Sequence, residues 1–408
     1  MYKEIFLRVC KVYVTRYTEH SFRFIFDGKE QELIGNGDET IMVKMHNTET
    51  VFKRIFSEGS IGLGESYCEG NIEAKDQEYK QFIFIFVRIA FNKKLIWKLS
   101  FLDIIRIMRA PRSMDMFFTN GTHEADINSH YSLSDWFDNI EDSNTFYLIW
   151  LNARYIQYSC GKWDRLTKTL EEAQVNKLEF YAKRLGIFKK SEGKTLLDLG
   201  CGWGGMMFYM AETYSIRCKG LTLSVAQADY VNREIQKRGL EDLVSVEVKN
   251  IHDMEGTYDY ITSVGVMEHI TDYEDLYTKV SASLNKEGKA LIHSIFHPSK
   301  EERIVDPFLS KYIFPGGGIP QLKKNLEIFG RHFGYVDVNE LPQKSYPKTL
   351  ECWFTAFCKN EKEIRKLLEE KSKVRDVDYA IRVYKHYFTS AYCGFYEDEL
   401  IVNVLAYN

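Results

Sequence analysis

The stretch Leu196–Gly205, LLDLGCGWGG, decides how the rest of this chain is read. It begins inside a short apolar strand, Thr195–Leu199, and then crowds Gly200, Gly202, Gly204 and Gly205 into a turn before a helical stretch, Met206–Thr213. Glycines at that spacing let the backbone turn sharply and let a ligand approach with no Cβ in the way. The acid of the motif, Asp198, stands before the loop. In the dinucleotide fingerprint the acid follows the loop by ~20 residues, so this is a different binding pattern.

Outward from the loop, strand and helix signals alternate. Leu166–Leu185 has helical period, Cys218–Leu223 reads as a second strand, and Val225–Arg238 reads as a helix with Ser224 as its N-cap. Val244–Val248, Tyr258–Val264 and Ala290–Ile295 read as further strands. This alternation predicts an α/β fold, a doubly wound parallel sheet with right-handed crossovers. The second strand runs into GLTLSVAQ, Gly220–Gln227. Many related folds carry an acid there for ribose hydroxyls, whereas here Thr222 and Gln227 have to supply the polar contacts. The spacing Asp198-x-Gly-x-Gly-x-Gly resembles the loop of class I methyltransferases, which bind S-adenosylmethionine (SAM).

The chain has 408 residues, a length that suits two to three domains. With 54 basic and 58 acidic residues its net charge is −4, which does not suit a nucleic-acid partner. The eight cysteines form no CxxC pair, so they read as scattered thiols of a reducing compartment, and no metal site is expected. His123 and His130 have no supporting ligands. The N-terminal stretch is interrupted by charge every few residues and carries no signal-peptide pattern. The longest apolar run, Phe82–Val87, is far shorter than the ~20 residues of a spanning helix.

Residues 1–75 alternate apolar and polar positions, with turn signals at Asp27-Gly28 and Asn36-Gly37. They read as strands and hairpins followed by a helix at Thr48–Glu58. Residues 80–112 carry eight Lys or Arg against one acid, Asp103, interleaved with large apolar side chains. Two helices are expected there, ending at Pro111. They are either amphipathic core helices with a solvated basic face or an interfacial pair that docks on anionic lipid headgroups. The polar stretch that follows reads as an inter-domain linker or an ordered loop. The expected organisation is a smaller N-terminal α+β domain at 1–115 that associates with lipid, a linker at 116–145 and a SAM-binding catalytic domain at 146–408.

Several blocks follow one another in the order seen in the cyclopropane-fatty-acyl-phospholipid synthase family, which the chain resembles from about residue 45 to its end. They are EGSIGLGESYCEG (Glu58–Gly70), YIQYSCGKW (Tyr155–Trp163), the glycine loop, GLTLSVAQ, SVGVMEHI (Ser263–Ile270), LIHSI (Leu291–Ile295), KYIFPGGGIP (Lys311–Pro320) and SAYCGFYEDEL (Ser390–Leu400). The resemblance implies transfer of a methylene from SAM to the cis double bond of unsaturated phospholipid acyl chains, giving cyclopropane fatty acids. The alternative is the same cofactor chemistry on another acceptor, giving a methyl-branched lipid or a methylated amine.

The resemblance also implies the site. Cofactor contacts carry over to Tyr158, Ser159, Asp198, Gly200, Gly202, Gly204, Thr222 and Gln227, with Asn250–Asp253 at the next strand end beside the adenine. A bound bicarbonate ion would be cradled by Cys160, Gly265, Glu268, His293 and Tyr346, stabilise developing positive charge and act as the base; Glu268 acting directly is the other option. The lead-in to Tyr346, LPQKSYPKTLECW, departs from the family, which has His or Asp where Ser345 stands. Cys393 matches a cysteine proposed as active in the family and equally suits a small buried hydrophobe. A cytoplasmic protein working peripherally on the inner face of the membrane is implied, with an unsaturated phospholipid bilayer as partner. Dimerisation through the N-terminal region is an expectation from the resemblance alone.

Overall fold

Five apolar runs pair in parallel, the chain being carried back across the sheet by the helices Gly205–Tyr214, Val225–Arg238 and Tyr273–Ala282 and, after Val244–Val248, by a connection with only the short 3₁₀ turn Ile251–Asp253. The structure is a computed structural model, and it describes residues 2–31, 33–91, 131, 133–297, 303–334, 336–397 and 401–407. The described chain divides into two units. One takes the residues up to 91 with Asp306–Ile313 and 375–397; the other takes 131–297, 303–305, 314–374 and 401–407. Both 306–313 and 375–397 thus fall outside the second unit, although they lie within the expected domain at 146–408.

The second unit is built on a seven-stranded sheet. Its parallel part runs β7 (Val244–Val248), β6 (Arg217–Thr222), β5 (Thr195–Leu199), β8 (Tyr258–Val264), β9 (Leu284–Phe296). Two antiparallel strands, β13 (Ile401–Tyr407) and then β12 (Val336–Glu340), extend it beyond β9. The strand order reverses at β5, so the glycine loop leaves the sheet at its switch point, where open α/β sheets bind ligands. Alternation along β5 splits the core: Leu196 packs with Leu178, Tyr181 and Phe208 on one face, and Leu197 and Leu199 pack with Ile261, Leu276 and Phe329 on the other.

Helices flank this sheet, and their ends are written in the sequence. The helix Leu170–Leu185 begins at a capping box, Thr169 with Glu172, and ends at Gly186 at φ 73. It starts four residues later than the periodicity predicts because Asp164 Oδ1 accepts from the N–H groups of Leu166 and Thr167 and holds that stretch as a turn. The helix Val225–Arg238 has the predicted bounds, with Ser224 capping Gln227 N. The helix Ile140–Leu151, capped by Asn139, runs across the expected boundary between the linker at 116–145 and the domain at 146–408.

The first unit corrects two expectations. Residues 2–17 form a helix, Tyr2–Tyr17, where strands were expected. Ile5, Phe6, Cys10, Tyr13 and Val14 are all buried and recur three to four apart, a helical stripe that the interspersed charges imitate as alternation. Asp27-Gly28 makes the predicted hairpin turn between His20–Phe26 and Lys29–Glu30, with both residues at positive φ. Asn36-Gly37 does not: the strand Glu39–Met45 that follows pairs in parallel with His20–Phe26. A Cβ on Gly37 would lie 1.8 Å from the Glu19 carbonyl oxygen, so the glycine serves close backbone packing rather than a turn. The core here is aromatic, with Phe6 in ring contact with Phe24, Phe52 and Phe82, and Phe24 with Phe82.

Of the basic stretch 80–112, the described part belongs to a helix, Asp76–Phe91; the remainder, with Pro111, and likewise His123 and His130, lies outside the described residues. Among the described residues no helix is long and apolar enough to cross a membrane.

Candidate active site

The ends of β5, β6 and β8 and the segment 156–159 enclose a cavity of about 210 Å³ in the second unit. Gly200, Gly202 and Gly204 all have positive φ, a backbone that L side chains avoid. A Cβ on Gly200 would lie 2.4 Å from Val266, whereas Gly202 faces open space. The loop is pinned from outside: Trp203 Nε1 donates to Asn144 Oδ1 at 2.9 Å, and Asn144 donates to the Ala226 carbonyl at 2.7 Å.

Seven of the eight residues carried over as cofactor contacts line this cavity: Tyr158, Ser159, Asp198, Gly200, Gly202, Thr222 and Gln227. Gly204 is instead the N-cap of the helix Gly205–Tyr214, packed against Phe208 and Val231. Asp198 accepts a 2.8 Å hydrogen bond from Thr262, and burial pushes its carboxyl up to about 6. Thr222 donates to Gln227 Oε1 at 2.7 Å and accepts from Ser224 N at 3.1 Å, so the strand end and helix start are tied into one polar corner. Asn250, Ile251 and His252 also line the cavity, from the 3₁₀ turn Ile251–Asp253 and its cap.

Of the residues carried over as an acid–base cradle, Gly265, Glu268 and His293 are set beside one another's strands by sheet register. Gly265 lines the cavity and donates its N–H to the His293 carbonyl at 2.9 Å. Glu268 sits on the 3₁₀ turn Met267–His269, and its Oε1 accepts from Ile295 N at 2.8 Å. Glu268 Oε2 is buried with no hydrogen-bond partner among the described residues, and burial raises the carboxyl above its ordinary range. His293 is buried on β9; its Nδ1 shares a 2.6 Å hydrogen bond with the Tyr181 hydroxyl, and burial holds the imidazole neutral. Cys160 is buried and its thiol is pushed up to about 12, so its side chain is no thiolate at neutral pH.

Tyr346 lies in the first turn of the helix Ser345–Lys359 and packs against the core cluster that holds Cys160 and Tyr181. That helix is bonded to the loop after Cys160. Thr349 Oγ1 accepts from Gly161 N and from Trp163 Nε1, each at 3.0 Å, and Ser345 Oγ accepts from Trp163 N at 3.3 Å. The unusual Ser345 thus has a structural use in this chain. Cys393 belongs to the first unit, in the helix Val377–Glu397, where it is fully buried and its thiol donates to the Lys80 carbonyl at 3.6 Å.

Sequence reasoning did not single out Tyr131, His269, Lys177 or Tyr181. Tyr131 and His269 line the cavity. The Tyr131 hydroxyl is pushed up by burial and then by the Glu268 charge, which places the two groups in the same field. His269 Nδ1 is buried without a partner among the described residues, and burial pushes the ring down to about 4. A polar stripe in EEAQVNKLEFY, three and four residues apart on one helix face, was the available signal for Lys177 and Tyr181.

Residues 119–404 match the family described as mycolic acid cyclopropane synthetase. The chain is 31% identical over 343 residues to the cyclopropane-fatty-acyl-phospholipid synthase of Escherichia coli, covering 83% of this chain and 82% of that protein. Its fold is similar to a mycolic acid cyclopropane synthase solved in complex with SAH and CTAB, with a TM-score of 0.59, 27% identity, and coverage of 70% of this chain and 98% of that one. It also shares its fold with a coclaurine N-methyltransferase bound to N-methylheliamine and SAH, at a TM-score of 0.62 and 22% identity, covering 85% and 97% of the two chains.

Proposed function

The chain belongs to the mycolic acid cyclopropane synthetase family, and from that premise we propose that it transfers a methylene from SAM to the cis double bond of unsaturated phospholipid acyl chains. The observation that carries this reading is Glu268: a buried carboxylate with one oxygen fixed by Ile295 N and the other without a partner among the described residues, beside a cavity lined by the glycine loop. An amine acceptor brings its own lone pair and needs no such base. An alkene does.

The cavity fits a SAM-sized donor on two counts. Gly202 leaves open space where a side chain would intrude, and the lining holds an orphaned buried nitrogen, His269 Nδ1. Thr222 and Gln227 would hold the ribose, and Asn250–His252 would lie along the adenine. When bound, SAM supplies an electrophilic methyl group on a cationic sulfur.

The chain's own residues do the rest. Burial keeps water from the carbon that becomes positive once the alkene has been methylated. Glu268 Oε2 takes a proton from the added methyl, and the C–H electron pair closes the ring. The bicarbonate ion implied by the family would occupy the same place. Glu268 would then lie beside the ion rather than act as the base itself, and His293, held by Tyr181, would orient it. The Tyr346 hydroxyl and the Cys160 N–H complete the cradle in this reading.

Phospholipid as substrate requires reaching a bilayer without a spanning helix among the described residues. Peripheral docking through the basic stretch 80–112 meets that requirement, on the inner leaflet where anionic lipid is concentrated. Incubating the full chain with SAM and vesicles of cis-unsaturated phospholipid, with and without anionic lipid, tests both parts. Acyl chains heavier by one CH₂ are expected, with faster turnover on anionic vesicles. Unchanged lipid would remove the reading, and equal turnover on neutral vesicles would remove the electrostatic docking.

A further inference from the structure

One face of the helix Leu170–Leu185 carries three buried polar residues at helical spacing, Gln174, Lys177 and Tyr181. Each reaches a residue of the site. Gln174 Nε2 donates to the Ser159 carbonyl at 3.0 Å, Lys177 Nζ donates to Ser159 Oγ at 2.7 Å, and Tyr181 meets His293. Tyr181 already has a use in orienting the imidazole. Lys177 does not, and it is the costlier group to bury.

Lys177 is fully buried. Taking an ammonium out of water costs several kcal/mol unless a counter-charge meets it. Among the described residues no carboxylate lies within ion-pair distance of Lys177, and its hydrogen bond goes to a neutral hydroxyl. The titratable groups in its field from neighbouring elements are the Cys160 thiol and the His293 imidazole, both held uncharged by burial. Burial accordingly pushes the ammonium down to about 7. A buried cation with no resident counter-charge suits a place where an anion arrives with a ligand.

Ser159 shows which anion. Its carbonyl is taken by Gln174 and its Oγ accepts from Lys177, so the hydroxyl keeps its own proton to donate, polarised by the ammonium behind it. Ser159 lines the donor cavity. Two planar anions of this chemistry are in view, the α-carboxylate of the donor and bicarbonate. Glu268 and His293 are not among the residues lining that cavity, whereas Ser159 is, and this favours the carboxylate.

We propose that Lys177 is a positioning residue for the methyl donor, acting through the Ser159 hydroxyl to recognise the α-carboxylate of its amino-acid end. This rests on the reading of the cavity as a SAM site. The ammonium itself touches no ligand; it fixes the hydroxyl's direction and supplies the compensating charge.

Calorimetry on the full chain in bicarbonate-free buffer tests this with two probes, S-adenosylhomocysteine and 5′-methylthioadenosine, which lacks the amino-acid end. Lys177→Met should weaken the first by roughly 10- to 100-fold and leave the second within about twofold. Its Tm should stay level or rise, because an uncompensated buried charge is replaced by an apolar chain of similar volume. Ser159→Ala should give the same split between probes, and adding Lys177→Met to it should change little further. It also carries the test if Lys177→Met does not fold. Equal loss for both probes, no loss for S-adenosylhomocysteine, or a loss that appears only when bicarbonate is added would overturn the proposal. Wild-type protein that binds neither probe would instead overturn the SAM reading itself.

Discussion

At the donor end of the site, three glycines at positive φ and the ends of three parallel strands shape a cavity largely from backbone. At the proposed acid–base end, His293, Tyr181 and Cys160 are buried side chains brought together by helix and strand packing, and Glu268 is fixed to the same strand through Ile295 N. The first is centred on one contiguous glycine loop, whereas the second has no such local centre and needs segments more than a hundred residues apart to arrive together. Backbone preorganisation makes the donor end sensitive to added volume. The acid–base end is sensitive to loss of single polar atoms, because each works in a dry surrounding where little can replace it.

This contrast can be tested from both sides. The largest effect is expected from Glu268→Gln, which keeps the shape and removes the base. Methylene transfer should fall by about 10²- to 10⁴-fold while S-adenosylhomocysteine binding, read by calorimetry, stays near wild type. A parallel loss of binding would mean that the two ends are not separable. Next comes Gly200→Ala, which places a Cβ 2.4 Å from Val266 at φ +76. Stability should drop by about 3 kcal/mol in denaturant titration, with donor binding lost as well. A neutral outcome would mean the loop is softer than backbone preorganisation allows.

Asp198 gives a pH signature at the donor end. Its folded carboxyl is raised to about 6 against ~3.9 unfolded. Its stabilising contribution is therefore complete below pH ~4 and is lost as pH rises through about 6. Asp198→Asn mimics the protonated form. Ligand-free Asp198→Asn should match wild type near pH 4 and exceed it by about 2 to 3 kcal/mol at pH 7. A stability gap that does not change with pH would refute the shift. The smallest effect is expected from Tyr181→Phe, which removes one hydrogen bond to His293 and should slow turnover about 5- to 10-fold with donor affinity unchanged. Weakened donor binding in that variant would blur the division between the two ends.

The same contrast explains what the sequence could reveal. The strands and the helix Val225–Arg238 around the glycine loop are legible because each is a local pattern with its own cap or turn residue. The acid–base residues have no local pattern of their own, and only the order of blocks along the chain named them. Lys177 and Tyr181 escaped because an amphipathic helix is expected to bury apolar groups, and two polar side chains on its inner face read as noise until their partners are known. In the first unit, regular charge spacing over residues 2–17 hid a helical stripe. Asn36-Gly37 resembled a hairpin turn although the next strand pairs in parallel, which no dipeptide can signal.

The most direct measurement of the central claim uses the full chain, vesicles of cis-unsaturated phospholipid, and SAM whose transferable methyl carries three deuteriums. Removal of one of them to the Glu268 side as the ring closes predicts acyl chains that retain two deuteriums in a cyclopropane, read by mass spectrometry of the fatty-acid methyl esters. Acyl chains that keep all three, or label found only outside lipid, would contradict the account.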